Sequence, residues 1–431
     1  MIRLKNLRTF DSLRNPAFRI YYLSTAGQWA AQSMQSVVQS LLLYRLTGST
    51  AILGTMALAG AITQIIVALY TGVLVDRFSK KRLMQIGQAV TAMTSLVIVV
   101  CLATGYLSKA HPGSWWILVA MSAIQGMSGA LLWSARASII PELVSKDRVA
   151  NATSLTTIGL NICQLVAPAF AGFLIDKINP AAALNFEAAF ITIIGLYIIS
   201  IFITNFVPSG EAASSGRGHV FTDMVEGLRY IRHNVRLLWI IVHTMLCSMI
   251  VLPLGAMMSV FSDSILKVGG TGLGWLQGIS AAGALITVLG IASLAIKKRS
   301  LVMLVMGLIL GLAQAAFAFS TSFPLSLLLM VFAGAGTMGQ ITIAMTMLQT
   351  DSDPAQRGRV LSLLLLGMGL SGLMTFFSGF VAEVIGIQWT IGGLSLLLAA
   401  ATILIFFLVP KLRKLDQVNH ENKTVPKMPG I

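Results

Sequence analysis

The sequence predicts an all-α membrane protein in which twelve transmembrane helices form two halves of six. Three observations support this prediction: long uncharged stretches, an alternating placement of Lys and Arg between them, and a second half that resembles the first. Of the 431 residues, 56% are hydrophobic and 10% are charged. Most of the uncharged stretches exceed the roughly 20 residues that a helix needs to cross a ~30 Å hydrocarbon layer.

Eleven uncharged stretches supply the twelve predicted helices. Ser300–Thr350 is too long for one crossing and is expected to break at Ser320–Pro324. The last helix is expected to begin near Trp389, because Gly386 and Gln388 precede it. The other stretches are Ile20–Tyr44, Leu46–Val75, Leu83–Ser108, Ala110–Ala135, Val149–Ile175, Ala188–Gly210, Leu237–Ser262, Val268–Ile296, Val360–Ala382 and Val384–Val409.

The basic residues predict how the chain is oriented. When the gaps between helices are numbered from the N-terminus, the even gaps hold four of the 30 Lys and Arg residues and the odd gaps hold the rest. The four are Arg45, Lys109, Lys177 and Lys267. Because positive charge marks cytoplasmic loops, both termini are expected in the cytoplasm, with the protein in the cell (inner) membrane. A soluble protein with unusually apolar helices would not alternate in this way.

The same pattern accounts for the formal net charge of +15. In a soluble protein this balance would suggest a nucleic-acid partner. Here the basic residues flank helices, where they can meet anionic lipid headgroups. The expected partners are therefore membrane lipids and not nucleic acid.

The chain is predicted to divide into a six-helix half (1–208), a cytoplasmic linker (209–236), a second six-helix half (237–409) and a cytoplasmic tail (410–431). The linker is polar and rich in Gly and Ser, and its part from Phe221 to Arg236 has the spacing of an amphipathic helix. Short matches recur in order in both halves, and one of them pairs Asp176 with Glu383. Parallel half-repeats with a binding site between them are typical of transporters.

The segment from Gly72 to Leu83 resembles the loop signature of the major facilitator superfamily. Ser134–Ala152 resembles a signature of its macrolide-efflux and enterobactin-exporter branch, the transmembrane secretion effectors. The first resemblance implies that Asp76 meets the start of the eleventh helix and latches the halves on the cytoplasmic side. The residues assigned to this cytoplasmic latch are Gly72, Asp76, Arg77, Lys81, Arg136, Glu142 and Arg359. The alternatives are a simple positively charged turn and solvated helix ends.

Four glutamines, Gln28, Gln32, Gln35 and Gln39, fall on one face of the first predicted helix. An amide facing lipid is costly, so this face must meet protein or water. The resemblance implies a central cavity lined by helices one, four, seven and ten, which makes these amides candidates for substrate binding. Gln125 and Asn161 are further candidates. Hydrogen bonding between helices is the alternative.

Two ionisable residues, His243 in the seventh predicted span and Glu187 at the outer end of the sixth, are candidates for proton coupling. The alternative for His243 is a neutral packing role. The first helix carries no acid, so no proton site is expected there. Cys101, Cys163 and Cys247 fall inside apolar stretches, and neither disulfides, metal ligands nor cofactors are expected.

These patterns together favour a secondary active transporter that exports an amphipathic small molecule by alternating access with proton antiport. The expected partners are a small-molecule substrate, protons and lipids, and a monomer is expected. A lysophospholipid flippase and a non-transporting membrane receptor or scaffold are the alternatives. No enzyme motif is recognised, so an enzyme is not expected.

Overall fold

The computed structural model describes residues 12–145, 148–177, 184–208, 229, 231–232, 234–293, 298–353 and 356–409. Most of the predicted linker and amphipathic helix, and the tail from 410 onwards, lie outside these ranges. The described side chains exclude those of Asp76 and Arg359, although both residues belong to helices.

The described ranges contain twelve long α-helices and no β-strand. In chain order they are α1 (Pro16–Thr47), α2 (Thr50–Arg77), α3 (Lys80–Ala103), α4 (Trp116–Leu143), α5 (Val149–Lys177), α6 (Leu184–Thr204), α7 (Val235–Val260), α8 (Gly269–Ser293), α9 (Arg299–Phe319), α10 (Phe323–Asp351), α11 (Arg357–Ile385) and α12 (Ile387–Leu408).

Ten of these helices contain a segment long and apolar enough to cross a membrane, and α11 contributes a shorter apolar segment, Leu370–Ile385. The remaining helix, α1, carries the four glutamines, which lower its mean hydropathy. The all-α membrane class is thereby confirmed, whereas twelve complete crossings remain a prediction.

Capping side chains, proline and glycine set the ends of several helices. The Asn15 side chain accepts a hydrogen bond from the Ala17 amide at 2.9 Å, which caps α1. The predicted break between α9 and α10 is confirmed, and Pro324 stands in the first turn of α10. Gly386, with a φ of 86°, separates α11 from α12. As a result α12 begins at Ile387, two residues before the predicted Trp389.

Helices within each half approach closely at glycines. A Cβ on Gly126 of α4 would lie 2.1 Å from the Gly60 carbonyl oxygen of α2. Thr63 on α2 donates a hydrogen bond to the Ala123 carbonyl at 2.7 Å beside this crossing. Since no Cβ tolerates such a distance, glycine is required for α2 and α4 to pack.

Two carboxylates join the halves at helix N-termini. Asp176, near the end of α5, accepts hydrogen bonds from the Gly270 and Thr271 amides of α8 at 3.1 and 2.6 Å. Glu383, near the end of α11, accepts from the Ala51 amide of α2 at 3.2 Å and from the Ser49 hydroxyl. Helix N-termini favour negative charge. The pair therefore forms two related caps, at the positions that the internal repeat matched.

An arginine adds a third polar link at the same place. Arg45, near the end of α1, donates two hydrogen bonds to Asp263, which follows α7, at 2.8 and 3.0 Å. We call this region, defined by Arg45, Asp176, Asp263 and Glu383, the joined end. Further hydrogen bonds between the halves lie beside these residues, from Thr50 to the Gly379 carbonyl and between Tyr44 and Ser264. We call the end at which α1 begins the opposite end.

At the joined end the backbones of α5 and α8 approach too closely to leave room for a Cβ atom between them. A Cβ on Gly172 of α5 would lie 2.0 Å from the Gly270 carbonyl oxygen. A Cβ on Gly274 of α8 would lie 2.3 Å from the Pro168 carbonyl oxygen. Glycine therefore permits α5 and α8 to close together in this state of the molecule.

Candidate functional site

A cavity of about 560 Å³ lies between the two halves. The helices α1, α4, α7 and α10 contribute to its wall, as the resemblance implied, and so do α2, α5, α8 and α9. Its polar lining consists of five glutamine amides, four hydroxyl groups and Arg136, and its apolar lining includes tryptophan and methionine. The amides are those of Gln32, Gln64, Gln164, Gln277 and Gln314, and the tryptophans are Trp29 and Trp133.

The glutamine face of α1 divides between the cavity and the interior of its own half. Gln32 is exposed and borders the cavity. The other three amides are buried and bond to neighbouring helices: Gln28 with Gln88, Gln35 with Ser95 and Tyr197, and Gln39 with the Leu118 carbonyl. With 3.6 residues per turn, Gln32 lies about 60° around the helix from Gln35. Three of the four glutamines thus form hydrogen bonds between helices, and Gln32 lines the cavity.

Gln125 and Asn161 are not among the residues that border the cavity. The Gln125 amide donates to the Thr94 hydroxyl at 3.2 Å, which links α4 to α3. The Asn161 amide donates to the Thr157 carbonyl at 2.8 Å, within α5. One candidate therefore bonds to a neighbouring helix and the other within its own helix, and substrate binding by either stays a prediction.

Sequence reasoning did not select the cavity glutamines beyond α1. Gln277 and Gln314 each stand in an otherwise apolar part of their helices, α8 and α9. The cost of an amide in lipid, used above to interpret α1, is the signal that would have identified them. A stripe of four on one helix is easier to recognise than single residues on several helices.

Arg136 on α4 faces the cavity from within the first half. It is 7% exposed, and its Nε donates to the Leu132 carbonyl at 3.0 Å. Its guanidinium carbon lies 5.9 Å from the centre of the Trp29 ring, within range for a cation–π contact. The side chain is thus held by its own helix and by α1.

The other residues assigned to the cytoplasmic latch lie at the opposite end. Glu142 pairs with Lys80 of α3, so Glu142 and Arg136 have different surroundings. Lys81 donates to the Asn205 carbonyl at 2.5 Å, and Arg77 is exposed at the last position of α2. Gly72 belongs to α2. The side chains of Asp76 and Arg359, which the predicted contact requires, lie outside the described set.

The two proton-coupling candidates lie on helices of different halves. His243 of α7 is fully buried, and its Nε2 lies 3.2 Å from the Thr402 hydroxyl of α12. A Cβ on Gly307 of α9 would lie 2.5 Å from its ring, so α7, α9 and α12 enclose it. Glu187 is half-buried in the first turn of α6. Neither residue is among those that border the cavity.

Two helical halves around a central, amide-lined cavity define a membrane transporter of the major facilitator type. The family model for transmembrane secretion effectors matches residues 7–429, and the chain belongs to this family. The resemblance drawn from the two signature segments is thereby confirmed.

Curated relatives cover most of the chain at low identity. The multidrug efflux pump Tap of Mycobacterium tuberculosis is 27% identical over 417 residues, which is 94% of this chain and 96% of Tap. Macrolide efflux protein A of Streptococcus pyogenes is 22% identical over 280 residues, which is 63% of this chain and 66% of that protein.

Solved transporter structures share the fold. An inward-facing bacterial homologue of the iron transporter ferroportin has a TM-score of 0.70 at 16% identity and covers 90% of this chain and 98% of its own. An inward-facing bacterial homologue of the human lysosomal transporter Spinster has a TM-score of 0.68 at 15% identity, over 93% and 98% of the two chains.

Proposed function

We propose that this protein is a secondary active transporter that exports an amphipathic small molecule by alternating access, with protons as the counter-ion. The observation that carries the proposal is a cavity between two halves that are bonded to each other at the joined end. The charge pattern orients the joined end towards the outside. In this state the cavity would exchange substrate with the cytoplasm or the inner leaflet.

The chemistry of the cavity wall fits a bulky amphiphile. Glutamine amides offer donors and acceptors, while Met258, Met330 and Met338 offer adaptable apolar contact. Trp29 and Trp133 add flat aromatic surface. A few polar groups in a mostly apolar wall are typical of drug-sized ligand sites. The relatives named multidrug and macrolide efflux proteins support the same substrate class and the outward direction.

Alternating access requires a second state in which the joined end opens and the opposite end closes. The cytoplasmic latch is proposed to hold that second state, with Asp76 at the start of α11 and Arg359 beside it. Its role mirrors that of Asp176 and Glu383, which hold the helix ends described here. Each state would then have carboxylates at helix N-termini to stabilise it.

Protons are proposed to enter through Glu187 or His243, because α1 carries no acid. The surroundings of His243, enclosed by three helices, favour its packing role over proton transfer. Glu187, half-buried near the outer surface, is the better placed of the two. Glu187→Gln should therefore reduce gradient-driven transport more than His243→Gln. Wild-type rates in both variants would exclude coupling through these residues.

The test is transport by inside-out vesicles that contain the purified protein. A pH gradient, acidic inside, should drive uptake of dansyl-labelled amphiphiles, and nigericin, which collapses the gradient, should abolish it. Vesicles without protein supply the background. Uptake that ignores the gradient would exclude proton antiport. Binding without any movement of probe would favour a receptor, and gradient-independent movement of lysolipid between leaflets would favour a flippase.

A further inference from the structure

Arg136 is the one ionisable side chain among the described residues that border the cavity. More than nine-tenths of it is buried. Its Nε bonds to the Leu132 carbonyl, which leaves the terminal amino groups of the guanidinium as further donors. Within the described part of the chain, no carboxylate lies at ion-pair distance from it.

A buried cation without an acidic partner is unfavourable unless something compensates for its lost hydration. Trp29 compensates in part, since a guanidinium over an indole ring gains a cation–π contact. Water in the cavity can supply the remainder. A ligand that displaces this water must itself stabilise the guanidinium charge. An anion does so, whereas a second cation is repelled.

A second polar group that borders the cavity belongs to the other half. Gln314 of α9 is 3% exposed, and its carbonyl oxygen Oε1 has no hydrogen-bond partner among the described residues. Buried acceptors without a donor are uncommon in folded proteins. Because Gln314 borders the same cavity as Arg136 but belongs to the second half, one ligand can meet both.

We propose that the cavity binds an amphiphile that bears a carboxylate or phosphate, with the anion on Arg136 and a hydroxyl or amide donor on Gln314. The planar guanidinium can donate two parallel hydrogen bonds to either anion. This inference rests on the proposed function and names its substrate class. Glutamine amides alone do not select for a charge, whereas Arg136 places a cation at the cavity.

The test compares probes that share one apolar body and differ in charge. Dansyl-undecanoic acid, its methyl ester and the corresponding dansyl-alkylamine are titrated against purified protein in detergent by fluorescence anisotropy. Wild type should bind the acid at least tenfold more tightly than the ester and the amine least tightly. Competition by dodecyl phosphate and by dodecanoate then separates a phosphate preference from a carboxylate preference.

Three variants of Arg136 and Gln314, with Arg82→Gln as the control, test whether this preference depends on the two proposed groups. Arg136→Gln should bind acid and ester equally, whereas Arg136→Lys, which keeps the charge, should retain a smaller preference for the acid. Arg82→Gln removes an exposed cation of α3 that does not border the cavity and should change nothing. Gln314→Leu should abolish the extra affinity of an ω-hydroxy acid over the plain acid. Thermal unfolding of each variant confirms that it is folded.

Equal binding of acid and ester by wild type would overturn the inference, as would an equal effect of Arg82→Gln and Arg136→Gln. Transport in proteoliposomes separates this failure from failure of the proposed function. If the ester is transported and the acid is not, the proposed anion site is refuted and the proposed transport function is retained. If the acid binds selectively but no gradient moves any probe, the proposed transport function is refuted and the proposed anion site is retained.

Discussion

Gln32 and Gln35 share one face of α1 but differ in what they contact. Gln32 is exposed to the cavity, so Gln32→Leu should weaken substrate binding without lowering the melting temperature. One neutral hydrogen bond contributes about 0.5–1.5 kcal/mol, which corresponds to a roughly threefold to tenfold loss of affinity. Ligand titration and thermal unfolding in detergent measure the two quantities separately.

Gln35→Leu is the matched control for that prediction. It leaves the Ser95 and Tyr197 hydroxyls without the amide that they contact. Stranding buried polar groups costs about 1–3 kcal/mol, so the melting temperature should fall while affinity stays unchanged. A loss of affinity at an unchanged melting temperature would instead mean that the whole glutamine face meets the ligand.

At this scale the sequence predicted the kind of residue and not its surroundings. Periodicity places four amides within about 60° of arc, but it does not say where α3, α4 and α6 cover that arc. Arg136 illustrates the same limit. Its motif predicted a cytoplasmic charge cluster, and only the packing of α4 against α1 turns it towards Trp29 and the cavity.

At the scale of elements, the caps on α2 and α8 determine how firmly the joined end closes. Asp176→Asn keeps the shape and removes the charge that faces two backbone amides of α8. A charge at a partly buried helix N-terminus contributes up to ~2 kcal/mol. Losing 1–2 kcal/mol changes the ratio of two states by a factor of roughly 5–30. Spin-label distances across the joined end should therefore shift towards longer values.

Glu383→Gln should produce the same shift, because Glu383 caps α2 in the equivalent way. Asp351→Asn is the control, since Asp351 pairs with Arg236 inside the second half at the opposite end. Its distance distribution should match that of wild type. If the control shifts the distances as far as the two caps do, the effect would reflect net charge and not the caps.

Glycine-to-alanine changes should separate packing within a half from packing between halves. Gly274→Ala places a Cβ 2.3 Å from the Pro168 carbonyl of the other half, and the halves can relieve this clash by separating. The variant should remain folded and favour an open joined end by the same distance measurement.

Gly126→Ala meets the Gly60 carbonyl inside the first half, where no rigid-body motion relieves the clash. It should lower the melting temperature and yield instead of changing the state populations. Gly129→Ala is the neutral control, because its Cβ would have no neighbour within 4 Å. Wild-type behaviour of Gly126→Ala would indicate that α2 and α4 pack less rigidly than described.

Element boundaries were largely predictable because Pro and Gly act locally. The Ser320–Pro324 break and the Gly386 separation needed no knowledge of tertiary structure. The partner of each end residue was not predictable in this way. The internal repeat matched Asp176 with Glu383, yet their shared role as caps depends on which helices lie across the interface.

At the scale of the whole molecule, the charge pattern predicts which loops face outside. In a background without Cys101, Cys163 and Cys247, single cysteines at Ala110 and Ser322 should react with impermeant thiol reagents on intact cells. Cysteines at Ser79 and Ser145 should react only after permeabilisation. All four positions are at least partly exposed, so access depends on the side of the membrane. The reverse labelling pattern would mean that the protein has the opposite orientation in the membrane.

The buried amides of α1 affect how the protein assembles during membrane insertion. The first helix enters the bilayer before the later ones exist, and its interior amides then lack their partners on α3, α4 and α6. Amides in hydrocarbon are costly, and α1 is less apolar than the ten candidate spans. The first half must therefore become stable as a unit, so a fragment that stops after α2 should be retained poorly in the membrane and degraded.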